Sequence, residues 1–210
     1  FFFKQKTAYE IYQCDWSSDV CSSDLPAEEH RTIAASFGDR VRGVAADGWD
    51  APTPVAEWRA RDVVRHLVEW FPAFLADGSD IELPTGPDVD ADPVAAWDHH
   101  AAAVQAVLDD PASADVTFAH PRLPQMPLPR AISEFYTGDV FMHTWDLARA
   151  TGQDDTLDAE RCRVMVEGMA PLDEMLRQSG QYGAKVPVAE DARWQDRLIG
   201  FIGRDPAWRP

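Results

Sequence analysis

Cysteine and lysine are almost missing from this chain of 210 residues, and each scarcity excludes something. The cysteines are Cys14, Cys21 and Cys162, and the first two lie in an N-terminal stretch foreign to the rest. Cys162 is then left without a partner for an internal disulfide, which fits a reducing compartment, and a cytoplasmic location is expected. Within a helical pattern it reads as a packing residue rather than a nucleophile. No apolar run reaches the roughly 20 residues that cross a bilayer. Basic residues are outnumbered 36 to 19, for a net charge of −17. A broad electrostatic grip on nucleic acid or an anionic membrane is therefore not expected.

The lysines are Lys4, Lys6 and Lys185, whereas all sixteen arginines follow residue 30. Such a break between 1–25 and the remainder marks two origins. The stretch FFFKQKTAYEIYQCDWSSDVCSSDL resembles the translation of sequencing-adapter read-through, and 1–25 is read as foreign. A signal peptide does not fit, because no apolar run of 7–15 residues follows a basic start and no A-x-A site appears. Residues 26–210 are expected to form a single globular domain.

What the main body has is helical periodicity. Ile33, Phe37, Val41 and Val44 recur at spacings of three and four, predicting a helix over 27–46. A Pro-rich loop over 48–58 leads to a second helix from Ala60 to Leu75, with a kink or stop expected at Pro72. Asp92-Pro93 caps a third helix running to Asp109. Residues 111–128 form a long crossover with a short strand at Val116–Ala119. A fourth helix runs from Pro129 to about Gly152. A fifth follows Asp158 as far as Ser179, and a short terminal helix spans Arg193–Gly203. The fold class is all-α, a four-helix bundle in which side chains from facing helices can build a metal site.

The fourth helix carries the chemical signal. At about 100° per residue, Ile132, Phe135, Asp139, Met142, His143, Asp146, Leu147 and Ala150 share one face. Three polar groups on a core face, at roughly 1–3 kcal/mol each if unpaired, need compensation. Asp139 and His143, at i and i+4, point the same way and can both reach one divalent ion, of which zinc accepts both donor types. A third ligand should come from another helix. The geometry leaves His66 and His100 as candidates, beside the alternative of a satisfied core histidine. Asp146 either orients the His143 ring or pairs with Arg149. Asp62, four residues before His66, either orients that ring or favours the first helical turn. Tyr136 and Trp70 either line a pocket or belong to the core. DVDAD (88–92) imitates a calcium loop but has Pro93 in place of the turn glycine.

The blocks DAPTPVAEWRARDVVRHLV, DPVAAWD, DVFMHTWDLARATG, YGAKVPV and RLIGFIGRDP occur in that order. Together they resemble the actinobacterial metal-binding proteins related to the N-terminal domain of mycothiol-dependent maleylpyruvate isomerase, within the DinB-like superfamily. The resemblance implies a DinB-like helix bundle whose metal, usually zinc, is held by His66, Asp139 and His143, with glutamate more usual at the position of Asp139. It also implies a thiol cofactor such as mycothiol and transferase or isomerase chemistry on a small molecule. No catalytic residue is implied by the residues themselves. The alternative is a non-catalytic metal- or ligand-binding module on the same fold.

Overall fold

The computed structural model describes residues 24–210. Their contacts form two compact units, 24–157 with 207–210, and 158–206. Of the stretch read as foreign, residues 1–23 lie outside the described residues, and Asp24 and Leu25 open the first helix. The architecture is all-α and of the expected DinB-like kind, with one two-stranded ribbon among the described residues. No described helix is long and apolar enough to cross a membrane.

In the larger unit, α1 (Asp24–Arg42) buries Ile33, Phe37 and Val41, while Val44 lies beyond its end. Helix α2 (Ala60–Gly78) passes through Pro72, where the sequence predicts a kink or stop. Its buried stripe of Val63, Val64, Leu67, Phe71 and Leu75 continues across the proline. Tertiary packing of that stripe outweighs the single amide donor lost. Helix α3 (Pro93–Asp109) begins as predicted, with the Asp92 carboxylate accepting from the Ala95 amide at 2.9 Å. The crossover contains a 3-10 turn at Pro111–Asp115 and the antiparallel strands β1 (Thr117–Phe118) and β2 (Met126–Pro127), with Phe118 opposite Met126.

The expected fourth helix is composite. A turn, α4 (Leu128–Ala131), runs into a π-helical stretch (Ile132–Thr137) and then into α5 (Gly138–Ala150). Hydrogen bonding from i to i+5 widens the turn, so the 100° projection fails upstream of Gly138. Tyr136 is fully buried, whereas Phe135 is only half-buried. Nor does α5 have a single core face, because every residue but Asp139 and Arg149 is buried. It is a central helix. Both α1 and α2 pack on α3 and on α5.

In the smaller unit, Asp158 caps α6 (Ala159–Met169), its carboxylate accepting from the Arg161 amide at 2.7 Å. The fifth helix does not run unbroken to Ser179. Pro171 lies in a 3-10 turn (Ala170–Leu172) that separates α6 from α7 (Asp173–Gln178). Gly180 then adopts a left-handed φ of 75°, which a residue without Cβ takes readily. The last helix, α8 (Trp194–Phe201), packs on α6.

Candidate metal centre

Asp139 and His143 stand one turn apart at the start of α5, and His66 projects from the middle of the neighbouring α2. His66 Nε2 lies 3.0 Å from Asp139 Oδ2, and His143 Nε2 lies 3.5 Å from Asp139 Oδ1. One ligand atom from each residue lies within 4.8 Å of the other two. Two ligands about 2.1 Å from a tetrahedral zinc ion are roughly 3.4 Å apart. The carboxylate already stands near that spacing from both rings, and the donor types suit the ion. The residues therefore fit a divalent metal. Side-chain exposure falls from 30% at His66 through 20% at Asp139 to 6% at His143. The cluster is thus open on the His66 side and closed behind His143.

Neighbouring groups hold these side chains in place. Asp146, fully buried, sets Oδ2 2.9 Å from His143 Nδ1. A carboxylate accepts there, so Nδ1 carries the proton and Nε2 keeps its lone pair toward the cluster. Arg149, the alternative partner for Asp146, pairs with Asp155 at 2.6 Å. Trp70 Nε1 donates to Asp139 Oδ2 at 3.1 Å, which orients the carboxylate. The Trp58 ring lies 5.0 Å from His66 and 5.6 Å from His143, nearly parallel to the latter. Just before it, Glu57 adopts a left-handed φ of 67°, at a cost of about 1–2 kcal/mol for a residue with a Cβ. That turn delivers Trp58 to the imidazoles.

Asp62 serves the first turn of α2, where it accepts from the Arg59 amide at 2.8 Å and pairs with Arg65. His100 is buried on α3 against Tyr136, with ring centroids 5.5 Å apart, and is not in the metal cluster. His99 Nε2 donates to the Pro84 carbonyl at 3.3 Å, His30 meets Gln105, and His120 lies against Phe74. Cys162 is buried in α6, and burial pushes its thiol up to about 12, which makes it a poor nucleophile. The periodicity of the sequence passes over Trp58, because a loop residue has no helical face to betray it. Its one signal is the EW pair just ahead of α2. Trp70 is legible as an aromatic neighbour but not as a donor to Asp139.

Helices packed around an acid-x-x-x-histidine pair, with a histidine facing it from a second helix, define an all-α protein with a candidate three-ligand centre. The chain belongs to the family described as the mycothiol maleylpyruvate isomerase N-terminal domain, whose family model matches residues 30–148. That span contains all three residues. Two uncharacterized proteins of Mycobacterium tuberculosis, from strains CDC 1551 / Oshkosh and ATCC 25618 / H37Rv, are similar to it. Each is 31% identical over 188 residues, covering 85% of this chain and 97% of the relative. No solved structure gives a significant match.

Proposed function

We propose that the protein holds a divalent metal, zinc by the chemistry of its donors, through His66, Asp139 and His143. It uses this centre for thiol-dependent transfer or isomerisation of a small molecule in the cytoplasm, with mycothiol as cosubstrate. What supports this is the convergence of two imidazoles and a carboxylate from two helices within 4.8 Å. Membership of a mycothiol-linked family supports the thiol. Bound zinc would supply a Lewis acid that lowers the pKa of a thiol at an open position. The chain's own residues prepare the site. Asp146 keeps the His143 proton on Nδ1, Trp70 steadies Asp139, and the exposed edge of His66 leaves an approach for solute.

The test is spectroscopic. Protein loaded with cobalt in place of zinc should develop a thiolate-to-metal absorption band on titration with mycothiol. If cobalt stays bound at saturating mycothiol and no band appears, the protein is a non-catalytic metal-binding module. If cobalt does not bind at all, the metal centre itself is wrong.

A further inference from the structure

Three buried polar side chains meet in the core with no protein partner for one atom each. His30 comes from α1, His100 from α3 and Tyr136 from the π-helical stretch, and all are buried. The Tyr136 ring stacks on Phe71 of α2 at 4.1 Å, and its centroid lies 6.0 Å from His30 and 5.5 Å from His100. His30 Nε2, His100 Nε2 and Tyr136 Oη make no hydrogen bond with any described residue. Left unpaired, three such buried groups would take a large share of the stability that holds a domain folded.

The tautomer of His30 follows from its neighbour. Gln105 Nε2 donates to the Ala27 carbonyl at 3.2 Å and to the Asp109 carboxylate at 2.8 Å, which leaves Oε1 facing His30 Nδ1 at 2.8 Å. An amide oxygen only accepts, so Nδ1 carries the proton and Nε2 of the neutral ring is a lone pair. Burial favours that neutral form. The missing partner must therefore donate to His30. None of the three facing atoms carries a charge to offset the hydration an ion would lose on burial, so the partner is uncharged. Tyr136 Oη can donate in return. One oxygen about 2.8 Å from each of two atoms bridges a gap of up to roughly 5.6 Å, and buried waters typically have about three such partners.

We propose that His30 and Tyr136 form an internal binding site, walled by the His100 ring, for a neutral hydroxyl group, which donates to His30 Nε2 and accepts from Tyr136 Oη. The hydroxyl comes from solvent water or from a small hydroxylic molecule enclosed in the core. The site shares no residue with the His66–Asp139–His143 cluster and does not depend on its being loaded. A crystal structure of the full chain, grown and cooled without polyols, should show a peak within 2.7–3.2 Å of both His30 Nε2 and Tyr136 Oη. A single spherical peak identifies water. An elongated one identifies a retained hydroxylic molecule, to be named by mass spectrometry of the denatured protein. An empty site, a direct Tyr136–His30 hydrogen bond or anomalous scattering from a metal there would overturn the proposal. Thermal melts give a second reading. His30→Leu and Tyr136→Phe should each lower Tm by on the order of 5 °C, and the double variant by clearly less than their sum, because both lose one shared partner. Strictly additive shifts would also overturn it.

Discussion

His143 has a carboxylate on either side of its ring, Asp146 behind Nδ1 and Asp139 before Nε2, and the two contacts do different work. His143→Ala should abolish stoichiometric metal binding, because two remaining ligands hold zinc poorly. It also removes one hydrogen bond to the buried Asp146, which costs about 1–3 kcal/mol. Metal content should therefore be read by elemental analysis on protein shown by circular dichroism to be folded. Asp146→Asn keeps the shape but weakens the hold on the Nδ1 proton, and metal affinity should fall roughly 10–100-fold in a competition titration. His100→Ala is the control and should leave metal content unchanged. Cys162 should react with a thiol reagent only after denaturation, since its thiol is buried and raised to about 12. Modification of the native protein at neutral pH would contradict that environment.

Among the elements, the composite fourth helix decides most. The π-helical stretch turns Tyr136 inward and leaves Phe135 half-buried, and α5 then enters the core with polar residues on several sides. Asp139 and His143 were legible because i,i+4 spacing survives within α5, downstream of the widened turn. The ring order upstream was not, because one wide turn shifts every earlier residue and leaves no mark in the composition. The end of α2 is tightly fitted for a different reason. A Cβ on Gly78 would lie 2.2 Å from the Phe118 ring, so the ribbon that carries Phe118 closes directly on backbone. Gly78→Ala should destabilise the protein by about 1–3 kcal/mol in a urea titration. An unchanged midpoint would mean that the Phe118 ring moves aside freely.

For the whole molecule, the buried histidines tie stability to pH. In an unfolded chain each titrates near 6.5, whereas burial lowers His30 and takes His100 down to about 4, with His30 and His99 adding repulsion at His100. Below 6.5 the unfolded state binds the extra protons. The contribution is thus complete above pH 6.5 and is lost as pH falls toward 4. For His100 alone it amounts to roughly 3 kcal/mol, at about 1.4 kcal/mol for each tenfold loss of proton affinity. Denaturant midpoints measured from pH 7 to 4.5 should fall, and His100→Leu should flatten the slope. An equally steep slope in that variant would assign the pH dependence to the carboxylates instead.

The sequence by itself determined the helical class, the caps at Asp92 and Asp158, and the acid–histidine pair on α5, because these rest on spacing along one helix and on side chains bonding a nearby amide. It narrowed the third histidine to His66 only through a resemblance, since two helices separated by about seventy residues share no periodicity. The tertiary structure alone brought His66 to Asp139, buried His100 beside Tyr136 instead, and placed Trp58 against both imidazoles. Those outcomes depend on how α2, α3 and α5 rotate as they pack, and that rotation is set by the fit of whole faces rather than by any local run of residues.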